Sequence, residues 1–391
     1  MLTREDGALQ AVRRRHELRV LEALVENGPR TRRELEEDTK LSRTTLSAIV
    51  GDLRQRGVLA ESVKEHYGEG RNGRPTKVLT LDPTAGAAVG IELGRARISV
   101  TVAGFDGSSV AHELLDIDPA MELAAKVSRA VGIVRSLVDS GVVRGDSILG
   151  IGVGVASRHA DPASLADDDT RQSDPQGASF EELRLLLDAP LLWDNNIRLA
   201  AMAESARYAL ASEDLLYVVL STGISCSVVV KGSPLRGGNG LAGELGHTSV
   251  DFEGKPCWCG GVGCLESYLG VANVLAEAAA RGGSFASIAA LAAAADDGDE
   301  VALGVIAWAG TLLGRAMATA AMIVDPSRVV VAGELSQCGD RLLEPVRAAL
   351  AARQLNIGNR STVVGMGASA PSSGSDGAAL MALRHWALDS V

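Results

Sequence analysis

Aromatic residues are nearly absent from this 391-residue chain, at 3% of its composition, so Ala, Leu and Val have to fill its interior. No uninterrupted apolar run approaches the roughly 20 residues needed to span a bilayer. The first ten residues, MLTREDGALQ, carry charges where a signal peptide would need an apolar core. No membrane partner is expected, and the cytoplasm is the expected compartment. Cysteine is scarce, yet three of the five cysteines fall within eight residues. What is plentiful is ordinary: 46% hydrophobic and 22% charged residues suit a soluble globular protein, and the length allows two or three domains.

The net charge of −11 would argue against a nucleic-acid partner were it evenly spread, but it is not. Residues 1–80 hold 16 Lys+Arg against 13 Asp+Glu, and the remainder 22 against 36, the asymmetry of a small polyanion-binding module on an acidic body. Within the basic segment, Leu18, Leu21 and Val25 recur at helical spacing and predict a helix over 13–26, stopped by Gly28-Pro29. Thr31 and Glu34 make a T-x-x-E capping box for a second helix. A third starts with Ser42 as N-cap, buries Leu46, Ile49, Val50 and Leu53, and ends at Gly57. Three short helices with a tight turn before the third are helix-turn-helix grammar. Strands predicted over 58–63 and 77–81, around a polar glycine-rich segment, add a wing. Residues 1–82 are therefore expected to form a winged helix-turn-helix that binds DNA. Arg43, Thr44 and Ser47 lie opposite the third helix's apolar stripe, near its start, where side chains reach base edges in the major groove; the alternative is a solvated face. In the wing, Arg71 and Arg74 can enter a narrow minor groove or decorate a solvated hairpin.

The crowded cysteines follow a histidine: His247-x9-Cys257-x-Cys259-x4-Cys264. One imidazole and three thiolates from a single glycine-rich segment suit tetrahedral Zn²⁺, and four protein donors leave no open position, so the metal would be structural. The alternatives are disulfides or unrelated buried thiols. Against them stand the lack of a secretory segment and the intervening Gly260, Gly261 and Gly263.

Beyond residue 85 the pattern strand, glycine turn, strand occurs twice, over 87–107 and 215–235, each followed by helical sequence. That repeat implies two α/β lobes built on one plan. Further strands are expected over 148–155, 191–193 and 328–332, with a helix after Asn196 and a long alanine-rich helix ending near Val324. Residues 157–179, rich in Asp, Ser and Pro, are expected to be a long loop.

The run Gly243-Glu244-Leu245-Gly246-His247, then Cys257-Trp258-Cys259-Gly260-Gly261-Val262-Gly263-Cys264-Leu265-Glu266, resembles the E-x-G-H and C-x-C-G-x-x-G-C-x-E motifs of the ROK family of repressors, open reading frames and sugar kinases. The resemblance extends over about three quarters of the chain. It implies two ribonuclease H-like lobes of the actin and sugar-kinase type over 85–391, with a ligand between them. It also implies where a kinase would keep its machinery. The D-x-G-G-T turn corresponds to Glu92-Leu93-Gly94-Arg95-Ala96, the G-T-G-I-G-x-G turn to Ser221-Thr222-Gly223-Ile224-Ser225-Cys226-Ser227, and the G-G-G-L-S turn to Val331-Ala332-Gly333-Glu334-Leu335-Ser336. Each has lost glycines that let backbone amides approach phosphates. The catalytic Asp of E-N-D-x-N aligns with Asn196 in Asp194-Asn195-Asn196-Ile197-Arg198, and a carboxamide is no general base. The sugar-contacting positions, by contrast, keep hydrogen-bonding groups: Asn195, Asn196, Glu244, His247 and Glu266. Ala156-Ser157-Arg158 stands where the family's P-G sugar loop would be. The chain is thus expected to be a transcriptional regulator, a repressor of sugar-metabolism genes, with an inactive kinase-like sensor for a sugar or sugar derivative and a structural zinc. It would bind an inverted-repeat operator as a homodimer or homotetramer. A sugar kinase with an appended DNA-binding domain, and a regulator whose second region only oligomerises, are the alternatives.

Overall fold

The structure, a computed structural model, describes residues 4–64, 76–156, 180–207, 214–352, 362–367 and 372–389. Helix α1 (Arg4–Asn27) begins well before the predicted start at Arg13, because residues 4–12 carry too few apolar positions to set a period. Helix α2 (Arg32–Thr39) opens on the expected capping box: Glu34 N donates to Thr31 Oγ1 at 3.2 Å, and Thr31 N donates to Glu34 Oε2 at 2.7 Å. Helix α3 (Arg43–Gln55) is capped by Ser42 and buries Leu46, Ile49, Val50 and Leu53. Strands β1 (Leu59–Lys64) and β2 (Thr76–Leu81) pair antiparallel, Leu59 opposite Leu81. The winged helix-turn-helix is present as predicted. Arg71 and Arg74 lie outside the described residues, as does the expected loop over 157–179.

The two β-runs become two sheets of one topology. In the first, β3 (Ala87–Leu93), β4 (Arg97–Gly104) and β5 (Ser109–Asp116) form an antiparallel meander, and β6 (Ile148–Val155) and β7 (Leu191–Asn195) add parallel strands in the order β5-β4-β3-β6-β7. In the second, β8 (Leu215–Leu220), β9 (Ile224–Val230) and β10 (Ser233–Pro234) form the meander, followed by parallel β11 (Arg328–Ala332) and β12 (Val363–Met366) in the order β10-β9-β8-β11-β12. The helices are α4 (Leu123–Asp139), α5 (Glu181–Leu187), α6 (Asn196–Arg207), α7 (Glu266–Leu269), α8 (Val271–Ala280), α9 (Ile288–Asp296), α10 (Glu300–Val324), α11 (Asp340–Ala351) and α12 (Ser373–Asp389). By composition α10 is long and apolar enough to cross a membrane, but over half of it is buried, with Val305, Ile306, Ala309, Leu313 and Met317 in the core of the second sheet.

The described residues divide into two compact units, 4–64, 76–156, 180–199 and 374–389 in one, and 200–207, 214–352, 362–367 and 372–373 in the other. The winged helix and the first sheet thus share a unit, joined through α12. Its Ala379, Ala382 and Leu383 belong to the same core as Val20, Leu21 and Leu24 of α1 and Leu79 and Leu81 of β2, and Trp386 meets Phe105 edge to face at 5.1 Å.

The helix can sit so close because the strands beneath it have no side chains there. In β6 the alternation Gly150, Gly152, Gly154 leaves one face bare while Ile151, Val153 and Val155 fill the other. A Cβ on Gly152 would overlap the Ala378 carbonyl, and one on Gly90 of β3 the Ser375 carbonyl. The first turn of α12 is pinned by buried hydroxyls, Ser375 Oγ lying 2.7 Å from Ser99 Oγ and 2.8 Å from Thr101 Oγ1. Gly152→Ala is therefore expected to destabilise the protein by about 1–3 kcal/mol through forced separation of α12 from the sheet. Gly132→Ala, at an exposed position of α4 where a Cβ meets nothing, should instead stabilise by up to about 1 kcal/mol. Urea unfolding of the two variants checks the opposite signs.

Candidate functional site

The DNA-facing candidates stand as their helix predicts. Ser42 Oγ accepts from Thr45 N at 3.2 Å, which starts α3 cleanly, and Arg43, Thr44 and Ser47 are exposed on the side away from its buried stripe. Many other basic residues of this region are committed to carboxylates. Arg13 and Arg56 both pair with Glu17 and Asp52, Arg30 with Asp38, Arg33 with Glu37, and Arg54 and Lys77 with Glu61.

In the first sheet, the ends of β3 and β7 bring Glu92 and Asn196 together. Asn196 Nδ2 donates to Glu92 Oε1 at 3.5 Å. Burial pushes the Glu92 carboxyl up to about 7 against the opposing pull of Asn196, so near neutral pH it can donate a hydrogen bond as well as accept one. Asp194, the remaining carboxylate of this segment, is buried and held by Arg198, whose Nε and guanidinium nitrogen donate to Oδ1 at 2.7 and 2.6 Å. Its position is set by that pair. Asn195 caps α6, Oδ1 accepting from Ile197 N at 2.8 Å and Arg198 N at 3.3 Å. The turn between β3 and β4 is held through a carbonyl: the buried Lys126 ammonium donates to Gly94 O at 2.8 Å.

In the second unit two donors at the turn between β8 and β9, the counterpart of a phosphate turn, are taken by nearby carboxylates. Ile224 N donates to Glu266 Oε2 at 2.9 Å and Ser221 Oγ donates to Glu334 Oε1 at 2.8 Å. A Cβ on Gly223 would meet the Glu266 carboxylate at 2.6 Å, so the glycine is what allows this approach. The other oxygen of Glu266 accepts from Trp258 Nε1 at 2.5 Å, and the Trp258 ring meets His247 edge to face at 5.0 Å. Glu244 Oε2 lies 3.9 Å from His247 Nε2. The segment bearing both rests directly on β9, since Cβ atoms on Gly243 and Gly246 would overlap the Cys226 and Ile224 carbonyls. Glu244, His247 and Glu266 are thus brought together within the second unit, His247 beside Glu244 and joined to Glu266 through Trp258. Trp258 and Glu334 were not foreseen as part of this cluster, although Glu334 replaces a family glycine.

His247, Cys257, Cys259 and Cys264 converge so that their ligand atoms all lie within 4.8 Å of one another. Cys259 Sγ is 3.6 Å from Cys264 Sγ, and Cys257 Sγ is 3.7 Å from His247 Nδ1. Tetrahedral zinc with Zn–S near 2.3 Å and Zn–N near 2.0 Å has edges of about 3.5–3.8 Å, close to the two separations above. Burial resists ionisation of Cys257, but hydrogen bonds from the Cys259 backbone, Ser267, Cys259 and His247 outweigh it and bring the thiol down to about 6. Burial and the neighbouring thiols push Cys264 up to about 12. Only a cation would let all three ionise together.

The chain matches the ROK family over residues 88–385 and the MarR family over residues 13–66. It is 24% identical over 354 residues to a xylose repressor of Caldicellulosiruptor bescii, spanning 85% of this chain and 86% of that protein. It is also 24% identical over 357 residues to the DNA-binding transcriptional dual regulator NagC of Escherichia coli, spanning 88% and 86%. Among solved structures, a ROK family transcriptional regulator homologous to the E. coli MLC protein superposes with a TM-score of 0.77 at 22% identity, covering 96% of this chain and 98% of that one. A ROK hexokinase from Thermus thermophilus superposes with a TM-score of 0.61 at 24% identity, covering 75% and 97%. The chain belongs to the ROK family, with a MarR-type winged helix ahead of its kinase-like domain.

Proposed function

We propose that this protein is a DNA-binding transcriptional repressor of sugar-metabolism genes whose kinase-like domain binds a sugar or sugar derivative without transforming it. One observation carries the reading: a helix-turn-helix with an exposed reading face is joined to a kinase fold whose base position is Asn196, with Asp194 locked to Arg198. General-base catalysis is typically worth about 10² to 10⁴-fold, and a carboxamide supplies none of it. Relatives named as repressors that match along most of the chain support the same reading. Glu244, His247 and Glu266 are the proposed hydroxyl contacts of the second unit, and Asn195 and Asn196 those of the first, Asn195 also capping α6. A dimer or tetramer would read an inverted repeat, because one winged helix covers too little DNA for a unique site. A DNA partner puts this work in the cytoplasm.

In this reading zinc is structural. His247 Nδ1 and the three thiolates would hold it, leaving His247 Nε2 on the side of Glu244. Natively purified protein is expected to carry one zinc per chain by metal analysis. Cys259→Ser should lose the metal and melt at lower temperature, and unchanged melting would contradict the assignment.

The function is tested by selecting bound sequences from a random duplex pool and then titrating the recovered DNA in the presence of free and phosphorylated sugars. An inverted repeat should emerge, and the effector should change affinity by roughly 5 to 150-fold, corresponding to about 1–3 kcal/mol of coupling. Glu244→Ala should remove that response and leave DNA affinity intact. Glu244 is a cleaner variant than Glu266, which also closes a turn. Equal affinity for selected and random DNA, or a sugar panel silent in calorimetry, would defeat the reading.

A further inference from the structure

Two features coincide at the turn between α2 and α3. Lys40 adopts a left-handed backbone conformation, φ 57° and ψ 23°, as the residue that ends α2, with its N–H donating to Glu36 O at 3.0 Å. Glycine meets such a geometry without steric cost, and a long side chain there is a backbone strain that the surrounding fold has to support. The side chain is also exposed and makes no ion pair among the described residues, whereas Arg33 on α2 is held by Glu37 at 3.1 Å and Arg54 on α3 by Glu61 at 3.2 Å. The left-handed cap closes α2, a geometry shared by Asp188 and Asp325 at the ends of α5 and α10, and at Lys40 it leaves an uncommitted cation on the turn three residues before Arg43.

We propose that Lys40 is a DNA phosphate contact: a positioning residue that anchors the start of α3 against the duplex backbone without reading sequence. The proposal rests on the DNA-binding reading above. In helix-turn-helix proteins the recognition helix presents its N-terminal residues to the groove, so the turn just before it lies closest to the flanking phosphates. Phosphate contacts fix register and orientation, and base contacts such as that expected of Arg43 supply selectivity. The paired arginines contribute less, because their charge is already partly neutralised by carboxylates that DNA would repel.

Lys40→Gly separates function from folding, since glycine relieves the left-handed strain. The full-length variant should melt at or above the wild-type temperature by circular dichroism. Its affinity for a random-sequence duplex long enough for two half-sites, measured across a salt series, should lose about 0.9 from the slope of log K against log salt for each chain bound. Lys40→Arg should restore the slope, and Arg33→Ala should leave it unchanged. An unaltered slope in Lys40→Gly, or an equal loss in Arg33→Ala, overturns the assignment while the wild-type still binds DNA. A wild-type protein with no duplex affinity at any salt overturns the DNA-binding reading itself, and this assignment with it.

Discussion

A phosphate-binding turn works by keeping its backbone and hydroxyl donors unpaired until a phosphate arrives. In the second unit two of the donors at the turn between β8 and β9 are already taken, Ile224 N by Glu266 and Ser221 Oγ by Glu334. Two carboxylates therefore stand where a triphosphate would have to bring more negative charge, and their repulsion adds to the loss of donors. The arrangement has a longer reach, since the second oxygen of Glu266 accepts from Trp258, whose ring lies against His247. His247 and the flanking Cys257 and Cys259 are proposed zinc ligands, so the proposed metal site, Trp258 and the turn are in direct contact. A single half-buried carboxylate connects them.

In the first unit, too, polar side chains of the segment after β6 are held by their neighbours. Asp194 is tied to Arg198 and Asn195 to the start of α6, which leaves Asn196 against Glu92 as an adaptable pair of donor and acceptor. This pair is structurally continuous with the winged helix. Glu92 accepts from the Gly374 backbone at the head of α12, and further along α12 Ala382, Leu383 and Trp386 pack with the core of α1, α3 and β2. With Gly90 and Gly152 removing side chains from the interface, α12 has little compliance against the sheet. Glu92 and the DNA-reading domain are thus joined by packed backbone within one unit.

Local signals were legible in the sequence where local physics decides. The capping box at Thr31 and Glu34, the N-cap at Ser42, the stripe of Leu46, Ile49, Val50 and Leu53, and the ligand spacing from His247 to Cys264 all needed only neighbours within about one turn or loop. Strand β7 ran to Asn195 rather than Trp193, because pairing of Asp194 and Asn195 with Gly154 and Val155 extends it. The alternating glycines of β6 were visible as letters, but their meaning depends on α12, from the far end of the chain. The Ser221 to Glu334 bond likewise joins two turns that only the parallel pairing of β8 with β11 brings side by side. Lys40 carried no sequence signal at all, since the left-handed turn that makes it unusual is a property of the backbone.

The central claim is that this kinase fold binds without catalysing, and single-turnover assay with labelled ATP, Mg²⁺ and a panel of hexoses at high protein concentration tests it most directly. The account predicts no phosphorylated sugar above the uncatalysed background. It also predicts no ATP binding in a parallel calorimetric titration, because Glu266 and Glu334 already take two donors of the β8–β9 turn and set negative charge beside it. Stoichiometric phosphoryl transfer to any hexose would contradict it and make the protein a kinase that also binds DNA.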